Sequence, residues 1–231
     1  MLFRSLFPEA RILRMDSDST SRRNSHDDIL GAFRRHEADI LIGTQMIAKG
    51  LDFPNVTLVG VLNADSSLNM PDFRAGERTF QLISQVAGRA GRAELPGEVF
   101  VQTYDPSSSV IRAAARGDFA AFAEEELAVR RSLGFPPFCH LSVVGVRSRD
   151  ANLAGDWAAM YSESLKKVKG LDAGDAVPCA LEKADGWYRW QVVLRSKSAA
   201  LAAKAWRWLS LARPAPRDVR VFIDIDAFAM A

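Results

Sequence analysis

The sequence predicts an α/β chain in three consecutive parts: a layered domain of strands and helices, a helical connector and a smaller α+β domain. Short apolar runs alternate with helical periodicity over 1–104. A stretch rich in Ala and Glu follows over 105–137, and residues 138–231 carry a strand and helix order of their own. These three observations place the predicted domain boundaries after residues 104 and 137.

The first part is expected to contain a parallel sheet. Its strands read as continuous apolar runs such as Ile40-Leu41-Ile42, which are typical of strands buried on both faces. One helix is predicted from Ser25, which can cap it, and another over 75–87. The predicted strands are 11–15, 39–43, 56–62 and 98–103.

The connector is predicted to be helical because its apolar residues recur at helical spacing. Gly117 divides the stretch into two helices. Gly134, Pro136 and Pro137 end it, since proline removes a backbone donor and disfavours helix at the preceding residue. We expect the connector to pack on the first part.

The last part shows the order strand, helix, strand, strand, helix, strand, which is the ferredoxin-like arrangement. Asp150 and Ser198 are placed to begin its two helices. Residues 184–186 (ADG) are a tight-turn signal between the second and third strands. The predicted strands are 140–146, 177–183, 187–195 and 219–225.

Composition narrows the class of protein without naming a partner. Apolar residues make up 48% of the 231 residues and the net charge is only +2, so any basic binding surface has to be local. No run of about 18 apolar residues occurs, which predicts a cytoplasmic chain without a membrane span. The two cysteines, Cys139 and Cys179, are too few for a structural zinc site, and we expect no metal ligands in this chain.

The sharpest motif is residues 85–92 (QVAGRAGR). Arg89 and Arg92 stand three residues apart and would share one face of a helix. Guanidinium groups stay charged and can donate two hydrogen bonds to a phosphate, while the glycines let another surface approach closely. The motif therefore predicts arginines that reach the γ-phosphate of a nucleotide held by another lobe. The alternative is a basic helix surface in which the glycines are incidental.

A second motif, residues 40–56 (ILIGTQMIAKGLDFPNV), begins as a predicted strand. The strand delivers Thr44 to its carboxyl end, the edge at which open α/β sheets bind ligands. Thr44 offers a hydroxyl and a backbone N–H to a nucleic-acid phosphate, and Lys49 adds positive charge. Gly50 permits an unusual backbone, and Asp52 can accept from a ribose hydroxyl or from the arginines. Asp52 can instead be a simple turn or cap residue.

These two motifs resemble motifs V and VI of superfamily-2 helicases. Segments 63–82 and 117–138 and the hairpin 186–191 (GWYRWQ) resemble the PriA-type helicases (primosomal protein N′) within that superfamily. The resemblance covers nearly the whole chain. It implies that 1–104 is the second RecA-like lobe of a helicase motor and that 138–231 is the family's C-terminal domain. The alternative is another superfamily-2 translocase, which would lack the ferredoxin-like domain.

The resemblance also implies an activity. PriA-type helicases use ATP with Mg²⁺ to unwind DNA in the 3′ to 5′ direction at stalled forks, and they restart replication by assembling a primosome. Their C-terminal domain binds DNA and the tail of single-stranded DNA-binding protein. The resemblance implies catalysis by Arg89 and Arg92, and ATP binding by Gly50, Asp52 and Gln85. It implies DNA binding by Thr44, Gln45 and Lys49. Arg189 and Gln191 are the candidates that would bind the protein tail.

The hairpin has a competing interpretation. Trp187 and Trp190 can both be core residues, but alternate strand positions face opposite ways, so Trp187 and Tyr188 cannot both point inward. An exposed aromatic side chain beside Arg189 would suit base stacking or the apolar end of a peptide.

Two features that the motor needs do not occur in the sequence. There is no Gly-x-x-x-x-Gly-Lys-Ser/Thr phosphate loop and no Asp-Glu-x-His motif, and the ligands of the family's zinc sites are also absent. These absences predict a truncated chain, a gene fragment or a split reading frame that is inactive by itself. The alternative function is a binding module that holds DNA or single-stranded DNA-binding protein without hydrolysis.

Overall fold

The structure, a computed structural model, describes residues 2–15, 25–44, 56–88 and 97–228. The chain divides into two compact units. The first comprises Met1–Ser66 and Arg78–Asp118, and the second comprises Ser67–Glu77 and Phe119–Ala231. Within the described ranges, none of the helices combines the length and the apolar character that crossing a bilayer requires.

The first unit contains two parallel strand pairs. Strand β1 (Ile12–Met15) pairs with β2 (Ile40–Gly43), and β3 (Leu58–Val61) pairs with β4 (Glu98–Val101). Each lies inside one of the four predicted strands, so the α/β class with parallel pairing is confirmed. Among the described residues the four strands form two separate two-stranded sheets rather than one.

Short helices accompany these strands. The sequence predicts Ser25 as the capping residue that precedes a helix. In the structure Ser25 is instead the first residue of helix α2. In the small core beside β1, Met15 and Leu30 are buried, with Ile29 and Phe33 packed against them. The helices are α1 (Leu2–Leu6), α2 (Ser25–Arg34), α3 (Asp65–Leu68) and α4 (Ala75–Ala87), the last with the predicted bounds.

The predicted connector forms two helices, α5 (Ser109–Arg116) and α6 (Phe119–Leu133). Gly117 ends α5 with a φ of 67°, a left-handed conformation that glycine adopts without strain. Helix α5 belongs to the first unit and α6 to the second. Helix α6 contacts Glu77, a residue of the predicted first part, through Arg130, and the expectation that the whole connector packs on that part stays a prediction. The division after residues 104 and 137 does not coincide with the two units, and it stays a prediction.

The second unit carries the predicted β-α-β-β-α-β order, which is confirmed. Its sheet is antiparallel with strand order β6-β7-β5-β8. The second strand starts earlier than the predicted residue 177 and contains two register irregularities. The elements are β5 (His140–Ser148), α7 (Ala151–Leu165), β6 (Leu171–Ala184), β7 (Trp187–Ser196), α8 (Ala199–Ala212) and β8 (Val219–Ile225).

Local chemistry explains where these elements begin and turn. The Asp150 carboxylate accepts a hydrogen bond of 3.0 Å from the Leu153 backbone N–H and so caps α7. Asp185 and Gly186 both have positive φ, at 52° and 79°, as a tight two-residue hairpin between β6 and β7 requires.

The core of the second unit lies between one face of the sheet and the two helices. Val144 and Val192 from the central strands meet Tyr161 of α7 and Leu209 of α8, and all four are buried. The strand positions that alternate with these point away from α7 and α8. This second face, called the distal face below, is formed by residues such as Gly145 and Arg147.

Candidate functional site

Most of the predicted motor residues fall on parts of the chain that the structure does not describe. Thr44 and Gln85 are described. Those outside the described residues are Gln45, Lys49, Gly50, Asp52, Arg89 and Arg92.

Thr44 directly follows the last residue of β2 and is exposed. Because β2 runs parallel to β1, Thr44 stands at the carboxyl end of a parallel pair, where the sequence places it. Gln85 is exposed near the end of α4. The Gly88 N–H donates to the Ser84 carbonyl at 3.2 Å, so helical bonding continues past Gln85. Both side chains are accessible to a ligand.

A buried carboxylate joins the ends of β3 and β4. Asp65 accepts hydrogen bonds from the Tyr104 backbone N–H at 3.0 Å and from the Thr103 hydroxyl at 2.9 Å. The bond from the Tyr104 N–H, with help from Thr103, holds the pKa of Asp65 below its usual value against the opposing effect of burial. These bonds occupy the carboxylate locally, so Asp65 serves to fix the loop after β3.

An ionic network fixes the start of α4 within the second unit. The Glu77 carboxylate accepts from Arg74 at 2.6 Å and from Arg130 of α6 at 3.0 Å, and Arg130 also binds Glu126 at 2.8 Å. The hydrogen bond from Arg74, followed by that from Arg130, lowers the pKa of Glu77. Stacking of Phe73 on Phe135, with ring centroids 5.5 Å apart, ties the same two segments together. These contacts are the physical reason that Ser67–Glu77 groups with α6 in the second unit.

Three arginines form a row across the distal face. Arg147 of β5 pairs in register with Arg189 of β7 on one side and with Arg220 of β8 on the other. Among the described residues, none of the three guanidinium groups has a carboxylate partner within 4.0 Å or a hydrogen-bond acceptor. The row is therefore a concentration of positive charge without a carboxylate in direct contact among the described residues.

Trp187 supports this row from one end. Its ring centroid lies 4.6 Å from the guanidinium carbon of Arg220 and 5.5 Å from that of Arg147, and Arg149 approaches it equally closely at 5.5 Å. Contacts of this kind between a cation and an aromatic face are attractive, so they offset part of the repulsion among the arginines.

The next row along the same face contains Gln191, Gly145 and Phe222, again in register across β7, β5 and β8. Gln191 is only 8% exposed, and its side-chain oxygen has no hydrogen-bond partner among the described residues. Phe222 is 52% exposed, and its ring lies over Gly145. The two rows line a groove of about 370 Å³, whose rim includes Asp185 and Asp224.

The predicted partner-binding residues therefore lie together, two positions apart on β7 and on the distal face. Trp187 and Trp190 face opposite ways: Trp187 contacts Arg147 and Arg220 on the distal face, and Trp190 packs against the core, where it lies over Gly155 of α7. Sequence reasoning missed Arg147, Arg220 and Phe222. Nothing in the order of residues links them, because only the strand register brings them beside Arg189 and Gln191.

Two family models match this chain. The helicase conserved C-terminal domain matches residues 1–94, and the primosomal protein N C-terminal domain matches residues 131–228. These matches define the class of protein: a helicase C-terminal domain joined to a primosomal C-terminal domain.

Relatives match most of the chain. Replication restart protein PriA of Bacillus subtilis (strain 168) is 47% identical over 194 residues, 83% of this chain and 24% of the relative. The protein of the same name from Chlamydia trachomatis is 40% identical over 97% of this chain and 30% of its own length, and that from Haemophilus influenzae is 39% identical over 96% and 31%. This chain belongs to the PriA family and corresponds to its C-terminal part, so the predicted resemblance is confirmed. It spans about a quarter to a third of the length of these relatives.

Proposed function

We propose that this chain provides the second motor lobe and the C-terminal domain of an ATP-dependent DNA helicase that restarts replication at stalled forks. The observation that carries the proposal is the pair of domain matches, at 1–94 and 131–228. Relatives that are named replication restart proteins match most of the same chain. Three-prime to five-prime unwinding and primosome assembly belong to the same proposal. The C-terminal β-α-β-β-α-β unit argues against another superfamily-2 translocase.

Specific residues take the motor roles in this proposal. Arg89 and Arg92 would stabilise charge on the γ-phosphate of ATP, an effect of roughly 10³ to 10⁵ in rate where such arginines have been measured. Gln85, Gly50 and Asp52 would lie near the nucleotide. The exposed position of Gln85 near the end of α4 supports this role.

DNA contacts on the motor lobe are proposed for Thr44, Gln45 and Lys49. The exposed hydroxyl of Thr44 at the carboxyl end of β2 supports its role. We propose, on the basis of the family, that the Mg²⁺ that accompanies ATP is held mainly by the other lobe of the motor.

Single-stranded DNA-binding protein and other primosome proteins are proposed partners on the basis of the family. The second candidate function is a binding module that holds DNA without hydrolysis. The observation that favours it for the chain alone is that the sequence contains no Gly-x-x-x-x-Gly-Lys-Ser/Thr motif.

The test is complementation in trans. The chain is mixed with the N-terminal part of a PriA-family relative, and DNA-stimulated ATP hydrolysis is measured for each part and for the mixture. We expect no hydrolysis by this chain alone and DNA-dependent hydrolysis by the mixture. If the two parts elute together and bind DNA but hydrolyse no ATP, the motor assignment is wrong and the binding module is favoured.

A further inference from the structure

The arginine row on the distal face is costly for the protein unless an anion binds it. Like charges placed directly opposite each other on neighbouring strands destabilise a sheet. Arg147 has such a neighbour on both sides, Arg189 and Arg220. The described residues supply no carboxylate within 4.0 Å of any of the three. The contacts with Trp187 position the guanidinium groups but leave their hydrogen-bond donors free.

The neighbouring row offers two different kinds of contact. Phe222 presents about half of its surface to solvent, and its ring is held against the sheet because Gly145 beneath it has no side chain. Gln191 is a lining residue of the groove that both rows form, and it places a polar side chain beside Phe222.

We infer that the distal face binds a single strand of nucleic acid, with a phosphate on the arginine row and a base stacked on Phe222 beside Gln191. This inference rests on the proposed function, since it specifies how the C-terminal domain holds DNA. Arginine is the side chain best suited to fork two hydrogen bonds onto a phosphate.

The spacing and shape of the face fit one nucleotide. Equivalent positions two residues apart along a strand are about 7 Å apart, so the arginine row and the Phe222 row can hold the phosphate and the base of one nucleotide. A base can lie flat on a sheet only when it is unstacked from its neighbours, which requires a single strand. Four-stranded sheets of RNA-recognition-motif domains stack bases on aromatic side chains in this way.

An acidic peptide is the other class of ligand that three arginines could hold. The face favours a nucleotide because the exposed ring of Phe222 stands one row from the arginines and beside the polar side chain of Gln191, an arrangement that suits a base next to its phosphate.

The experiment measures binding of the full chain to a fluorescent oligothymidylate of about 12 nucleotides by anisotropy, over a range of salt concentrations. We expect Phe222→Ala to weaken binding about tenfold without changing the salt dependence, because stacking carries no charge. Arg147→Ala should lower the slope of log affinity against log salt by about 0.7, since one phosphate contact is lost, and Arg147→Lys should retain the slope. Arg207→Ala, on the exposed surface of α8, is the matched control and should leave both unchanged.

Three results would overturn the inference. The first is that the Phe222→Ala and Arg147→Ala variants bind the oligonucleotide as tightly as the unaltered chain does. The second is that the unaltered chain does not bind the oligonucleotide. The third is a peptide of Asp and apolar residues that binds more tightly than the oligonucleotide and loses its affinity in the same variants, which would assign the face to a protein tail. Each leaves the complementation assay for ATP hydrolysis unaffected, so failure here is distinguishable from failure of the proposed function. Thermal unfolding of each variant confirms that the sheet is intact.

Discussion

The ring of Phe222 lies so close over Gly145 that a β-carbon at position 145 would overlap three of its ring carbons. The two residues pair in register on β8 and β5, and Gly145 also pairs with Gln191 on β7. The far end of the Phe222 ring can reach over the central strand only because Gly145 leaves that space empty. A glycine in the interior of a strand weakens the strand and often marks a site that another group approaches closely. At Gly145 that group is the ring of Phe222.

Gly145→Ala should therefore destabilise the chain modestly. The added methyl group must displace the far end of the Phe222 ring, and because Phe222 is 52% exposed and can shift, we expect a cost of about 1 kcal/mol, at the low end of what overpacking costs. Urea unfolding of the purified chain measures the change in free energy. Phe222→Ala removes the overlapping ring, so Gly145→Ala should cost much less in that background. A cost that is the same in both backgrounds would show that the ring is not what Gly145 accommodates.

The sequence predicts elements well where local patterns suffice. Helix α4 and strand β8 have their predicted bounds, because amphipathic periodicity and strict alternation are local signals. The start of β6 at Leu171 was not predicted, since Asp172, Gly174 and Asp175 are residues that strands disfavour. As an edge strand with register irregularities, β6 tolerates them.

The distal face could be predicted only in part. Arg189 and Gln191 are close in sequence and were singled out together. Arg147 and Arg220 are far from them along the chain and join them only through strand register. Register follows from which faces are buried, and a single sequence does not state how its strands align.

Glu77→Gln should destabilise the second unit at neutral pH. Glu77 accepts from both Arg74 and Arg130, whose side chains are 16% and 12% exposed. A neutral amide can accept from one of them but presents N–H groups to the other, so we expect a loss of about 1–3 kcal/mol in the free energy of unfolding. Glu125→Gln, an exposed change on the same helix as Arg130, is the control and should stay within about 0.5 kcal/mol. Equal unfolding midpoints for the two variants would contradict the structural role of this network.

The stability difference between the unaltered chain and Glu77→Gln should depend on pH. The arginines lower the pKa of Glu77 in the folded chain below its ordinary value of 4.5. A carboxylate with a lowered folded pKa stabilises the chain above its unfolded pKa, and that contribution is lost as the pH falls through the folded pKa. The difference should therefore be constant from neutral pH down to about 5 and then shrink with further acidification. Denaturant unfolding at a series of pH values measures this difference in the free energy of unfolding. A difference that grows on acidification would contradict a lowered pKa for Glu77.

Arg92→Ala should remove ATP hydrolysis from the complemented motor while leaving DNA binding intact. The guanidinium group is proposed to stabilise charge that develops on the γ-phosphate during the reaction, so its loss should lower the turnover number by about 10³ or more. The DNA contacts are assigned to other residues, Thr44 among them, and affinity for DNA should be unchanged. Arg112→Ala, an exposed arginine on α5, controls for the loss of a positive charge and should retain full turnover. Turnover by the Arg92→Ala mixture at the rate of the control would refute the assignment, because a residue that acts on the transferred phosphate cannot be dispensable.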